Sequence, residues 1–375
     1  MAVAEMTPEA AMQLALREAK KGSGTTFPNP CVGAVIVRGD KVLGRGYTRP
    51  VGGAHAEIVA IQRAVKRHGA AALRGASLAT TLEPCCHKGR TGPCSTAIVE
   101  AGVARVHVGV RDPHPFVAGG GLRRLKRAGI EIDVGVREQE CREQLRGFLS
   151  VCERSRPWLV LKLASSLDGR IATASGESRW ITGGHSRAFV HQLRRSSDAV
   201  MVGSGTALAD DPALTARRGD RLWRAPVRVL VDGSLRVPTR AQLYTQAEGE
   251  AWVVCARGAR GQRARERAGA RVLEVARANR GRQLDLRAAL RKLGRAGLTQ
   301  VLCEGGGHLA AALLRAKLVD EIHWILAPSL IGGDGRAALG PLALTRLPGA
   351  DSLSSVKVRR LGEDVHVHAL VGSAR

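Results

Sequence analysis

Two short stretches hold residue types that can do chemistry together: HAE at 55–57 and EPCCHKGRTGPC at 83–94. His55 offers a neutral imidazole nitrogen, and Cys85 and Cys94 offer thiolates, which are ligand types that hold zinc. Three protein ligands leave a fourth zinc position for water, the arrangement of a catalytic centre rather than a closed structural one. Glu57, two residues past His55 near the start of a helical run, can hydrogen-bond a water at that position without ligating the metal. A carboxylate so placed can take a proton from the water and pass it to a substrate nitrogen and a leaving ammonia. A purely structural Cys2His site is the alternative, and it has no use for the acid at Glu57.

A second candidate is VLCEGGGHLAAALL at 301–314. A strand runs into Gly305, Gly306 and Gly307 and then into a helix, so bare backbone amides at a helix start can approach a phosphate. Taken alone, the same run is equally a tight strand-to-helix turn. GSGTAL at 203–208 lacks the last glycine of a dinucleotide-binding fingerprint.

The elements that must position these residues form two α/β patterns. In the first, helix signals run through 8–21, CVGAVIV and KVLGRGY pair as a hairpin, and HAEIVAIQRAVKRHG is helical. Strand SLATTLE, helix STAIVEAG, strand RVHVGV, helix LRRLKRAG and strand IEIDVGV follow. The charged helix REQECREQLRGFLSVCERSRP stops before Pro157, and the boundary is placed there, with domains over 1–150 and 151–375. Beyond it, WLVLKLA, DAVMVG, VRVLVDG, AWVVCA, QVLCEG and EIHWILAPSLI are strand-like. Helices such as LDLRAALRKLGRAG and HLAAALLRAKLVD lie between them. The tail SVKVRRLGEDVHVHALV alternates like a closing hairpin, which a purely parallel sheet does not offer. The Arg/Gly-rich segment 257–283 reads as exposed, with one strand in it.

Composition narrows the function classes. A chain of 375 residues, 44% hydrophobic and 24% charged, has the make-up of a soluble globular protein and is long enough for two domains. Aromatics are only 3%, so Ala, Val, Leu and Ile must fill the cores. There is no 18-residue apolar run, so no membrane span is expected. Glu5, Glu9 and Glu18 fit neither a signal peptide nor an acid-poor transit peptide, which makes the expected location cytoplasmic. Eight cysteines scattered over this length do not make a disulfide scaffold, so the clustered ones read as metal ligands. The net charge of +25 could serve nucleic acid, or a solvated surface that attracts small phosphorylated substrates. The densest basic runs, RRLKR at 123–127 and RGARGQRARERAGAR at 257–271, have almost no aromatics nearby to stack on bases. Neither nucleic acid nor a membrane is therefore expected as a partner.

HAE and PC match the H-x-E…P-C-x-x-C pattern of zinc nucleobase deaminases, but eight residues instead of two separate Cys85 from Cys94. Editing and tRNA deaminases use the short spacing. The longer loop resembles the deaminase half of the bifunctional riboflavin-biosynthesis deaminase–reductase family. The resemblance continues through FPNPCVGAVIV at 27–37 and RDPHPFVAGGGL at 111–122. In the second half LKLASSLDGRIA, SGESRWITG, VGSGTALADDPALTAR and EGGGHLAAALL occur in that family's order and spacing, over nearly all of 158–340.

The resemblance implies a cytidine-deaminase-like three-layer α/β domain followed by a dihydrofolate-reductase-like domain. It implies zinc-dependent deamination of 2,5-diamino-6-(5-phospho-ribosylamino)pyrimidin-4-one, then NADPH-dependent reduction of the ribosyl group to ribityl, in a homo-oligomer. Carried onto this sequence, it puts His55, Cys85 and Cys94 on Zn2+, Glu57 at the proton transfers, and Asn29, His87 and Arg90 on the substrate. In the second half it puts Ser178, Arg194, Leu214, Arg217 and Glu304 on the substrate; Lys162 and Asp210 are the charged candidates for the reacting carbon, each equally readable as an ordinary polar residue at a strand end or a turn. Ala164, Trp180, Thr206, Asp210, Gly305, Gly306 and Gly307 fall on NADPH-binding places. The chain departs from the family at Thr48 (usually His), His114 (usually Asn) and Gly120 (usually basic). Cys86 stands where a small residue is usual and reads as a bystander. The rival readings are a nucleic-acid deaminase with a basic accessory domain and a structural zinc protein that binds RNA.

Overall fold

Thr7 and Pro8 begin the first helix: the Thr7 hydroxyl accepts the Ala10 N–H at 3.2 Å, and proline suits the first helical position. The computed structural model describes residues 5–87, 92–278, 281, 283–346 and 351–372. It divides into two units, Met1–Ser155 and Arg156–Arg375. The charged helix belongs whole to the first unit, so the division falls after Ser155 rather than after residue 150.

In the first unit, β1 (Gly33–Arg38) and β2 (Lys41–Tyr47) form a hairpin. With β3 (Ser77–Leu82), β4 (Arg105–Val110) and β5 (Glu131–Val134) they make one sheet, ordered β2-β1-β3-β4-β5. The helices are α1 (Pro8–Ala19), α2 (Ala56–His68), α3 (Cys94–Glu100), α4 (Gly120–Arg127) and α5 (Glu138–Arg154). α1 and α5 pack together on one face, and α2, α3 and α4 follow one another on the other, giving three layers. Close approach replaces the missing aromatics. A Cβ at Gly33 would stand 1.9 Å from the Ala15 carbonyl of α1, and one at Gly46 would stand 2.1 Å from the Ala56 carbonyl of α2. The Gly46 contact fixes the first turn of α2, which carries the HAE motif.

The second unit contains β6 (Trp158–Ser166), β7 (Arg170–Ala172), α6 (Gly184–Ser196), β8 (Ala199–Gly203), α7 (Ser204–Asp210), β9 (Ala216–Arg218) and β10 (Arg221–Arg224). It continues with β11 (Val227–Val231), α8 (Gln242–Thr245), β12 (Ala251–Ala256), α9 (Gln262–Arg267), β13 (Arg271–Val275), β14 (Arg277–Ala278) and β15 (Gln283–Leu284). Then come α10 (Leu286–Arg295), β16 (Gln300–Cys303), α11 (Gly307–Arg315), β17 (Glu321–Ala327), β18 (Arg336–Ala337), β19 (Leu353–Leu361) and β20 (Asp364–Val371). Nine of these strands form one sheet in the order β13-β12-β11-β8-β16-β6-β17-β20-β19. It is parallel from β13 to β17, and the closing hairpin β19/β20 is antiparallel. Val160, Leu302, Val200, Leu230 and Val253 are all buried in one apolar cluster that crosses these strands. The chain enters at β6, builds outward to β13, and returns to insert β16 between β8 and β6. That return leaves a crevice beyond the carboxyl ends of β8, β11 and β16, where open α/β sheets bind ligands.

Among the described residues of 257–283, where one strand was expected, α9 precedes β13 and β14 pairs with β15. α9 buries no residue, so no apolar period marked it in the sequence. EIHWILAPSLI ends as a strand at Ala327, because Pro328 cannot donate to a ladder.

Candidate active sites

The first site gathers three segments of the first unit. His55 caps α2 with extended backbone, Cys94 opens α3, and Cys85 lies on the loop after β3. Buried Glu83 fixes the start of that loop by accepting the N–H groups of Asp112 and Leu122, each at 3.2 Å. His55 Nδ1 then stands 3.2 Å from Cys94 Sγ and 3.6 Å from Cys85 Sγ. Tetrahedral zinc, with Zn–S near 2.3 Å and Zn–N near 2.0 Å, separates its ligands by roughly 3.5 Å. Donor types and spacing both fit zinc, with a fourth corner left for water.

The three donors share their protons unequally, and Cys85 is the one held as a thiolate. The Cys94 thiol, helped by His55 and the Cys94 backbone N–H, outweighs burial and draws Cys85 down to about 4. The same contact, together with burial, pushes Cys94 well up. Contact with Cys85 raises His55 against the effect of burial. Glu57 is buried in the first turn of α2, and burial, with the charge of Cys85, pushes its carboxyl up to about 7.

Around this centre, Asn29 is half-buried and its N–H closes a turn on Thr26 O at 2.9 Å. His87 is exposed and His114 half-buried; both rings flank Phe116, at 6.2 and 5.1 Å between centroids. Arg90 lies outside the described residues. The Thr48 hydroxyl is buried and accepts the Val32 N–H at 3.0 Å, so it is engaged with backbone. Cys86 donates to Phe116 O at 3.7 Å and is not part of the three-donor cluster.

In the second unit, a cleft of about 1400 Å3 opens at the return of the sheet. Ser178, Thr206, Asp210, Gly306 and Gly307 line it. The Gly306 N–H donates to Thr206 Oγ1 at 2.8 Å, which ties the start of α11 to α7. Asp210 is exposed at the end of α7, and its carbonyl accepts from Arg179 at 3.3 Å. Arg236, Arg277 and Arg336 also line the cleft. Nothing in the sequence distinguished them from the other basic residues. A glycine-bordered crevice edged by three guanidiniums fits a phosphorylated dinucleotide.

A second group lies beside the cleft. Arg194 forms a two-pronged ion pair with Glu304 at 2.6 and 2.8 Å, and its remaining arm donates to Thr215 O at 3.0 Å. Burial pushes Glu304 up, but Arg194, aided by Lys162, outweighs it and holds the carboxylate below its ordinary range. Burial lowers Lys162; Glu304 opposes that shift and Arg194 adds to it. The planar donor edge of Arg194, expected on the substrate, is therefore occupied by Glu304.

Lys162, Arg194 and Glu304, like Ala164, Trp180, Leu214, Arg217 and Gly305, are not among the residues lining the cleft. Ala164 pairs with Ile325 across β6 and β17. Trp180 is 72% exposed, with Arg187 over its ring at 4.7 Å. Leu214 is buried with φ +54°, and the Arg217 N–H donates to His191 Nδ1 at 3.1 Å. A Cβ on Gly305 would lie 2.9 Å from the Gly203 nitrogen, so that glycine is required by packing.

Comparison with known proteins covers both units. Residues 6–110 match the cytidine and deoxycytidylate deaminase zinc-binding region, and residues 157–367 match the RibD C-terminal domain. The riboflavin biosynthesis protein RibD of Escherichia coli strain K12 is 39% identical over 379 residues, 98% of this chain and 100% of that protein. The Aquifex aeolicus protein of the same name is 38% identical, covering 94% of this chain and 96% of its own. Among solved structures, Acinetobacter baumannii RibD superposes with a TM-score of 0.86 at 34% identity, covering 98% of this chain and 99% of that one. A deaminase/reductase of Thermotoga maritima gives 0.83 at 32% identity, covering 97% and 98%. The chain belongs to the RibD family of riboflavin biosynthesis, in which a zinc-binding deaminase domain and a reductase domain share one polypeptide.

Proposed function

We propose that the first unit deaminates 2,5-diamino-6-(5-phospho-ribosylamino)pyrimidin-4-one at His55, Glu57, Cys85 and Cys94, and that the second reduces the deaminated product at the cleft. The family assignment supports this reading over a nucleic-acid deaminase. His55, Cys85 and Cys94 would hold Zn2+, which as a Lewis acid makes water nucleophilic near neutral pH. Glu57 takes one proton from the attacking water and passes it to the ring nitrogen, then takes the second from the resulting hydroxyl and passes it to the amino group, which leaves as ammonia. Its raised carboxyl keeps both protonation states accessible for that exchange. Exposed Phe116, flanked by His87 and His114, offers a ring face on which the pyrimidine would stack.

In the second unit the cleft would hold NADPH, which when bound would supply the hydride for reduction of the ribosyl carbon. Gly306, Gly307 and Thr206 would hold its phosphates, and Arg236, Arg277 and Arg336 supply positive charge at the cleft. Lys162, whose ammonium is disfavoured by burial, is the proton donor that completes the reduction, and Glu304 holds Arg194 in a two-pronged pair and attracts the Lys162 charge. Asp210 faces the cleft from the end of α7 and orients the sugar.

The observation that carries the reading is the convergence of His55 Nδ1, Cys85 Sγ and Cys94 Sγ next to a buried glutamate. Elemental analysis of Cys94→Ala and Glu57→Gln tests it. Cys94→Ala is expected to lose zinc from this centre and ammonia release together. Glu57→Gln is expected to keep the metal and lose ammonia release by a factor of about 100 or more. Unchanged zinc in Cys94→Ala contradicts the ligand assignment.

A further inference from the structure

The antiparallel pairing of β17 with β20 sets His323 opposite His368, with Glu321 and His366 two residues away on their strands. Strand alternation puts all four side chains on one face of the sheet. The Nε2 atoms of His323 and His368 reach the same carboxylate oxygen, Glu321 Oε1, at 3.0 and 2.8 Å. The two rings stack 4.6 Å apart and 19° from parallel. Glu321 and His323 are buried, while His368 is half-buried and opens the cluster to solvent. None of the four lines the cofactor cleft.

We propose that Glu321, His323 and His368 form a second divalent-metal site. Two imidazoles and one carboxylate, their donor atoms all within 4.8 Å of one another, are a ligand set that suits zinc or cobalt(II) and leaves a coordination position open.

The surroundings orient each ligand, as partners outside the ligand set do at metal centres. The Trp158 indole N–H donates to Glu321 Oε2 at 2.9 Å, which leaves Oε1 to the histidines. His323 Nδ1 meets His366 Nε2 at 2.9 Å, and Arg359 Nε donates to His366 Nδ1 at 3.1 Å. Phe189 of α6 lies against His323 and His366, at 5.7 and 4.6 Å between centroids.

The Arg359 donation gives this chain a direction. It makes His366 Nδ1 an acceptor, so the His366 proton sits on Nε2 and points at His323 Nδ1. His323 then carries its proton on Nε2, donated to Glu321. Metal on that nitrogen shifts the His323 proton to Nδ1, the His366 proton to Nδ1, and turns Arg359 away. No proton is gained or lost, and Arg359 opposes the shift.

The alternative is a hydrogen-bonded histidine stack that only fastens the closing hairpin, and metal stoichiometry separates the two. Full-length protein is stripped with chelator, loaded with Zn2+ or Co2+, freed of excess metal and analysed for metal content. The wild type is expected to hold about two ions per chain, and His368→Gln and Glu321→Gln about one. Cobalt at the first centre gives thiolate charge-transfer bands, whereas the second adds ligand-field bands alone, lost in His368→Gln. Arg359→Gln, whose amide oxygen can accept from His366 Nδ1, is expected to tighten Zn2+ at the second site about tenfold. About one ion per chain in the wild type, or a second ion indifferent to both His368→Gln and Glu321→Gln, overturns the proposal.

Discussion

Gly120 opens α4 facing Cys86, and a Cβ there would lie 2.6 Å from the Cys86 sulfur. The two departures from the family pattern are thus one spatial event, in which the thiol occupies room that a side chain at 120 would need. Gly120→Lys alone is expected to cost about 1–3 kcal/mol in chemical denaturation, and Cys86→Ala to relieve most of that cost in the double variant. Additive costs show that the two sites are independent. His55, Glu57, Cys85 and Cys94 were legible in the sequence because their chemical types cluster over a short span and suit one metal. The Arg194–Glu304 pair was not, because its members stand 110 residues apart and meet only once β16 inserts beside β8. Thr48 was equally opaque: a hydroxyl engaged with the Val32 backbone leaves no trace in residue order.

Among the elements, the hairpins and parallel strands were readable from alternation and from short apolar runs, and the exposed α9 was not, since it has no apolar face. The glycine run before α11 carried two readings, and its members do different things. A Cβ on Gly307 would meet the Ala337 and Ala338 carbonyls at 2.8 and 3.0 Å, whereas one on Gly205, inside α7, meets nothing within 4 Å. Gly307→Ala must push α11 off the segment that β18 ends on. It is expected to destabilise the protein by about 1–3 kcal/mol and to weaken NADPH binding. Gly205→Ala is expected to stabilise the protein by about 0.5–1 kcal/mol, because the helix gains an alanine without a clash. Thermal unfolding of both variants checks the contrast; equal effects in the two would mean that packing does not set these glycines.

At the scale of the whole molecule, each unit has its own sheet and its own buried cluster, so the two chemistries rest on separate frameworks. Among the described residues, no helix is long and apolar enough to cross a membrane. The large positive charge, which left nucleic acid open at first, is consistent with phosphorylated small molecules and with the three arginines at the cleft. The separation of the two chemistries is tested most directly by following ammonia and NADPH in one reaction. Wild-type protein given NADPH and the diaminopyrimidine phosphate is expected to release one ammonia for each NADPH oxidised, at about a one-to-one ratio. Glu57→Gln is expected to do neither with that substrate, yet to oxidise NADPH at the wild-type rate with 5-amino-6-(5-phosphoribosylamino)uracil. NADPH oxidation by the wild type without ammonia release, or loss of uracil reduction in Glu57→Gln, contradicts the division of chemistry between the two units.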